Sequence, residues 1–216
     1  MFKHETQVIK FLLQWYSMNA RKLPWRKKNN LNLPHPYFVF VSEYMLQQTT
    51  VNTVKNKFND FILKWPSLNK LAQTSEPNIL KFWSGLGYYS RARNLLKSAK
   101  IIHKNFKNNI PKTYDELIQL PGIGDYTAKA ILGIGYNKSV MPLDANIERI
   151  LVRLHAIDKP INKVKNKLKD LGKKFISDKF SSNLIQSFMD YGSEICLPRN
   201  PKCNICGINK FCQSYK

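Results

Sequence analysis

Apolar residues at steps of three and four run through almost the whole chain, while the alternation that marks a half-buried strand is scarce. Val8, Phe11, Leu12, Trp15 and Tyr16 make one such face, and the helix built on it should end before the stretch from Asn19 to Pro24. The same spacing returns over 37–48, 51–65, 76–84, 90–106, 114–120, 126–134, 146–154, 163–175 and 181–195. The expected class is therefore all-α. A polar, Pro-containing connector from Lys27 to Pro36 separates the first helix from the second, and there is no internal repeat or low-complexity tract. With 216 residues and 43% hydrophobic composition, the chain can bury a sizeable core as one domain or two small ones.

Charge sets the first expectation about partners. The 35 Lys+Arg against 14 Asp+Glu give a formal net charge of +21, which favours a polyanion through counterion release and steering, nucleic acid first. A biased composition on a solvated surface explains part of it: the lysine-rich stretch 162–174 carries apolar residues at helical spacing and reads as a solvated helix face. No run approaches the roughly 20 apolar residues that span a bilayer. The patch from Phe11 to Leu13 is short and has no small-residue cleavage pattern behind it, so no signal peptide is expected and the protein is placed in the cytoplasm.

All four cysteines sit in CLPRNPKCNICGINKFC, with the spacing C-x6-C-x2-C-x5-C through Cys196, Cys203, Cys206 and Cys212. Without an export signal they are expected to bind metal rather than form disulfides. Spacing leaves two metals open. Zinc sites often pair two C-x2-C knuckles, and only Cys203 and Cys206 are so paired, whereas a four-iron cluster also takes four thiolates and tolerates wider loops. Arg199, Lys202 and Lys210 among these residues serve either solubility or a basic loop against a DNA backbone.

Local chemistry is most legible in IPKTYDELIQLPGIGDYTAKAIL, residues 110–132. Thr113 with Glu116 reads as a capping box, Pro121 stops the helix, and Gly122 and Gly124 permit a tight turn into a second helix near Asp125. Such a turn is either an ordinary helical hairpin or an anion-binding one, since a helix N-terminus offers N–H groups to phosphate. Two carboxylates stand out. Glu43 lies among Phe38, Val39, Phe40, Val41, Tyr44, Met45 and Leu46, an apolar setting expected to raise a carboxyl pKa, although most helix glutamates are solvated. Asp144, just before a helical run, is in the position of a helix N-cap.

LPGIGDYTAKAIL resembles the helix-hairpin-helix of the DNA glycosylase superfamily that includes endonuclease III, and LDANIERI resembles its loop with the catalytic aspartate, here Asp144. LPWR at 23–26, SEYMLQQTTV at 42–51, WSGLGYYSRARNL at 83–95 and the cysteine spacing are similar to the adenine DNA glycosylases, which remove adenine mispaired with 8-oxoguanine. The resemblance runs from Leu23 to Cys212. It implies a two-lobed all-α fold with a C-terminal iron-sulfur loop. A helical-barrel lobe of about 30–135 would carry the hairpin, and 1–29 plus 136–216 would form the cluster lobe. It implies a [4Fe-4S] cluster on Cys196, Cys203, Cys206 and Cys212, Glu43 as the group that protonates adenine, and Asp144 as the stabiliser of the sugar cation.

Several further roles follow from the same resemblance. Tyr126 stands where strand-cutting relatives have a Schiff-base lysine, so a monofunctional enzyme is implied. Gln48 and Tyr88 match residues that enter the duplex, although a helix-end polar residue and a packed aromatic are the plain readings of the two. Gly122, Gly124 and Arg91 are the implied DNA contacts; Arg93, like Arg91, is either a phosphate contact or plain surface. Trp25, Arg26 and Gln186 match positions around the adenine pocket. The implied partner is double-stranded DNA with an adenine mispair, met by a monomer at the bacterial nucleoid. Two departures bear on this. The sequence ends four residues after Cys212, so the C-terminal domain that helps recognise 8-oxoguanine is not expected. Ala145 replaces the family's usual glycine, as in thymine-mismatch glycosylases, which keeps thymine removal as an alternative beside a non-catalytic zinc-containing DNA-binding module.

Overall fold

The structure, a computed structural model, describes residues 3–215. The helices in chain order are α1 (Lys3–Asn19), α2 (Pro36–Leu46), α3 (Val51–Lys64), α4 (Leu68–Ala72), α5 (Glu76–Trp83), α6 (Ser90–Asn105), α7 (Tyr114–Ile118), α8 (Asp125–Ala130), α9 (Ala145–Leu154), α10 (Lys165–Lys173) and α11 (Ser181–Glu194). No strand occurs among the described residues, and an isolated antiparallel bridge joins Lys28 and Pro34. The all-α expectation therefore holds. Among the described residues no helix is long and apolar enough to cross a membrane.

Where the elements depart from the sequence pattern, short-range chemistry is the reason. α4 was not visible in the sequence, because five residues are too few to show a period, although the Ser67 hydroxyl accepts from the Lys70 N–H as a helix cap. The periodic stretch through Ile134 is split: α8 passes into a π-helical turn, Ile131–Gly135. At Gly135 an added Cβ would lie 3.3 Å from Pro36 Cα, so the wider turn and the start of α2 approach backbone to backbone. The capping box is half realised. Thr113 Oγ1 accepts from the Glu116 N–H, while its own hydroxyl donates to Glu116 Oε2 at 2.6 Å.

The chain divides into two compact units, Lys22–Tyr136 and a discontinuous one of Met1–Arg21 with Asn137–Lys216. In the first, α2 is the central element: Tyr37, Val39, Phe40, Val41, Ser42, Glu43, Tyr44 and Met45 are all buried. It packs against α3, α6, α8 and the π turn. Each fully buried large side chain there removes apolar area worth about 1.5–3 kcal/mol, which is why so uniformly apolar a helix lies inside. In the second unit α11 is central, packed on α1 and α9. Asp190 on α11 is fully buried and accepts from the Arg21 backbone N–H at 3.0 Å and from Arg21 Nε at 2.6 Å. That pair fastens the end of α1 to the helix that leads into the cysteines.

Candidate active site

In the 22–136 unit, Glu43 is only 7% exposed on α2. The solvated position common to helix glutamates is not the one it takes. The hairpin is built against the same helix: Tyr44 Oη donates to Pro121 O at 2.5 Å, Ser98 Oγ donates to the same carbonyl at 3.0 Å, and Gln47 Nε2 donates to Gly122 O at 3.2 Å. Gly122 sits at φ 81°, in the left-handed region, and an added Cβ would lie 3.0 Å from Tyr44 Cε1 and Asn94 Cβ. Gly124 is the extended N-cap of α8. Tyr126 is half-buried in the first turn of α8, whereas Lys129, one turn on, is paired with Asp125 at 2.8 Å. Trp25 is buried edge-on against Phe58, with ring centroids 5.5 Å apart, and Arg26 beside it is half-buried.

Gln48 and Tyr88 share an unusual backbone. They stand at φ 57° and 46°, left-handed values that are uncommon for residues other than glycine, and both side chains are exposed, Tyr88 by 61%. The plain reading of Tyr88 as a packed aromatic does not describe it. Arg91, expected against a phosphate, is instead 5% exposed, with its guanidinium engaged by backbone carbonyls inside the unit. Its charge is favoured by the C-terminal end of α2, where carbonyls and helix dipole stabilise a cation. Arg93 faces out and pairs with Glu76 at 2.9 Å.

Asp144 and Gln186 belong to the other unit. Asp144 is the N-cap of α9: Oδ1 accepts from the Ile147 N–H at 2.7 Å and Oδ2 from Asn146 Nδ2 at 3.0 Å. Burial pushes its carboxyl above the usual aspartate value, opposed by those hydrogen bonds and by the charge of Arg149. The cap reading is thus correct as structure, and it fixes the carboxylate for any further role. Gln186 is 2% exposed; its amide donates to Ser182 O at 3.0 Å and to Ser182 Oγ at 3.1 Å, and its Oε1 is buried without a hydrogen-bond partner.

The four cysteines line one pocket with Ile150, Leu154 and Ile208. Tyr191 Oη donates to Cys206 Sγ at 3.2 Å and Arg153 Nη1 to Cys196 Sγ at 3.3 Å. Burial first, then the neighbouring thiols, pushes Cys206 and Cys212 up. Four cysteine sulfurs lining one largely apolar pocket are the type of donor that a metal or an iron-sulfur cluster takes. Among the described residues, no three or more His, Cys, Asp or Glu side chains are drawn together on a single ion.

Sequence reading missed the residues that hold this pocket in place. Arg149 Nε donates to Cys196 O at 2.8 Å, and its Nη2 donates to Gly192 O at 2.7 Å and Asn146 Oδ1 at 2.8 Å. Arg153 Nη1 donates to Leu197 O at 2.7 Å and Nη2 to Pro198 O at 3.0 Å. The available signal was two arginines four apart on a helix that opens with Asp144, a spacing that puts both on one face.

The chain belongs to the HhH-GPD superfamily of base excision DNA repair proteins, whose family model matches residues 41–174. It is 43% identical over 209 residues to the adenine DNA glycosylase of Buchnera aphidicola subsp. Baizongia pistaciae, covering 94% of this chain and 57% of that one. The chain thus spans little more than half the length of this relative. Among solved structures it is similar to a thermostable thymine-DNA glycosylase (TM-score 0.88, 25% identity, 99% of this chain and 97% of that one). The fold also matches endonuclease III from a non-covalent DNA complex (TM-score 0.76, 19% identity, 100% of this chain and 97% of that one).

Proposed function

We propose that the chain binds double-stranded DNA and hydrolyses the N-glycosidic bond of adenine mispaired with 8-oxoguanine or guanine, leaving an abasic site. The observation that carries this reading is Glu43, a carboxyl group 7% exposed on the apolar helix α2 and set in SEYMLQQT. The name shared by the curated relative supports the choice of base. Glu43 gives its proton to adenine N7, so that the C1′–N9 bond breaks with its electron pair going to a base that leaves neutral. Asp144 stabilises the developing sugar cation, water adds at C1′, and the water's proton passes to the Glu43 carboxylate. Tyr126, in place of a lysine, gives no amine for a Schiff base, so the strand stays uncut.

Gln48 and Tyr88 enter the duplex and fill the space left by the extruded base. Gly122 and Gly124 bring the hairpin backbone to a phosphate, Trp25, Arg26 and Gln186 border the base, and the enzyme works as a monomer in the cytoplasm. Cys196, Cys203, Cys206 and Cys212 would hold a [4Fe-4S] cluster, which supplies four iron–thiolate bonds closing the tail into a fixed loop.

The test is base release from duplexes carrying A opposite 8-oxoguanine, A opposite G, and T opposite G. Wild type should release adenine from the first two, and Glu43→Gln should lose on the order of 100-fold or more. A second reading, thymine removal, is favoured by Ala145 and by the likeness to a thymine-DNA glycosylase. Release from T opposite G alone would establish it in place of the first. Release from none would leave a DNA-binding module.

A further inference from the structure

Two strained, exposed residues in one unit raise the question of what keeps them there. A left-handed conformation costs an ordinary residue about 1–2 kcal/mol, so Gln48 at φ 57° and Tyr88 at φ 46° relax unless neighbouring contacts hold them. The loops they stand on meet at one side chain. Arg91 Nη1 donates to Tyr44 O at 3.1 Å and Met45 O at 2.7 Å, the last carbonyls before the Gln48 turn. Its Nη2 donates to Thr49 Oγ1 at 2.9 Å, beside Gln48, and to Leu86 O at 2.8 Å and Gly87 O at 3.1 Å, beside Tyr88. The guanidinium carbon lies 5.7 Å from the centroid of the Tyr88 ring. The Arg91 backbone N–H also donates to Tyr88 O at 3.0 Å.

We propose that Arg91 is a positioning residue that clamps the Gln48 turn and the Tyr88 loop into a single rigid wedge, so that both side chains meet the duplex already in the geometry that extrudes the base. This rests on the glycosylase reading above. The planar fork is what the task requires. Five acceptors, two at the C-terminal end of α2 and three on the loops that follow α2 and α5, are reached by the two terminal nitrogens of one guanidinium, whereas a lysine ammonium presents three donors from one point and cannot span them. Preorganisation matters here because extrusion costs a few kcal/mol of stacking and pairing, and a wedge that must first be ordered adds to that cost. The guanidinium has no exposed face with which to meet a phosphate, so its influence on DNA passes through Gln48 and Tyr88.

The experiment is a double-mutant cycle of Arg91→Lys and Tyr88→Ala in the full chain. It is read as the single-turnover rate of adenine release and as the fluorescence rise of 2-aminopurine placed beside the adenine, at a temperature where circular dichroism shows every variant folded. Arg91→Lys should lower both the rate and the extrusion signal about 10- to 100-fold, the effect of misplacing a reacting group by about 1 Å. In the Tyr88→Ala background it should cost only a few-fold more, since residues that act as a unit are non-additive. The salt dependence of duplex binding should keep its slope, where a lost phosphate contact would reduce it by about one. Full additivity, rescue by lysine, or a reduced salt slope would overturn the clamp. If wild type released no base, the glycosylase reading would fall, and the same cycle read by fluorescence would still judge the clamp.

Discussion

Gly207 is the tightest point in the cysteine-bearing loop. A Cβ added there would lie 2.2 Å from both Cε2 and Cζ of Phe11, whereas carbon atoms in contact sit about 3.5–4.0 Å apart. Gly207→Ala therefore forces the loop and the ring apart by more than about 1 Å. Phe11 is not free to swing, because its ring packs edge-on against Tyr191 with centroids 5.9 Å apart. Tyr191 is in turn engaged by the loop: it donates to Cys206 Sγ at 3.2 Å and accepts from the Gly207 N–H at 3.1 Å. Either the aromatic contact is lost, at about 0.5–1.5 kcal/mol, or the loop moves and both Tyr191 bonds go with it. Overpacking of this kind costs about 1–3 kcal/mol, and at about 2–4 °C per kcal/mol for a chain of this size the melting midpoint should drop by roughly 2–12 °C.

The assay is iron content and visible absorbance of protein purified without air, with thermal unfolding alongside. With the [4Fe-4S] cluster proposed above, Gly207→Ala should hold less iron than wild type, and Phe11→Ala in the same chain should restore much of it by removing the ring that clashes. A variant that keeps full iron and its melting midpoint, or one that Phe11→Ala makes worse, would refute the argument.

Arg21→Ala should destabilise the protein by about 3 kcal/mol, because it strips the Arg21 guanidinium from a fully buried Asp190 carboxylate. Asp190→Asn in that background should recover part of the loss, since it removes the buried charge itself, and urea titration of the three variants checks it. For Asp144, burial raises the carboxyl, so the protonated form persists to higher pH; with the role proposed for Asp144, the acid limb of base release should lie above the ordinary aspartate range. Arg149 charge opposes that rise, so Arg149→Gln should move the limb further up in pH, read from single-turnover rates between pH 4 and 8. A limb that moved down would contradict the assigned sign.

The helical class was legible because ten stretches carry their period openly, and α4 was not because one turn has no period to show. Glu43 was legible as a residue among apolar neighbours, where a solvated surface position was the commoner reading for a helix glutamate, and its burial sets that reading aside. Arg91 went the other way. A basic residue after a loop reads as surface in sequence, since nothing local says that the carbonyls of Tyr44, Met45, Leu86 and Gly87 will converge on it. Sequence spacing reports faces of one helix well and convergence of separate loops hardly at all.

The second unit shows what such convergence does for chemistry. Helix α9 begins at the Asp144 cap, and Asn146 joins that carboxylate at 3.0 Å to Arg149 at 2.8 Å. Arg149 ends on the carbonyls of Gly192 and Cys196, and Arg153, one turn on, grips Leu197 and Pro198. Gly192 has to be glycine, because an added Cβ would lie 2.6 Å from Asn146 Cβ. The path from the proposed catalytic aspartate to the first cysteine is thus three side chains long, with hydrogen bonds at each joint. A loop that loses its grip on α9 releases Arg149, then Asn146, and so removes one of the bonds that orient the Asp144 carboxylate. Four thiols at the tail of the sequence and one aspartate some fifty residues earlier are in this way joined by one chain of hydrogen bonds, which would give the cysteine pocket a bearing on the role proposed for Asp144.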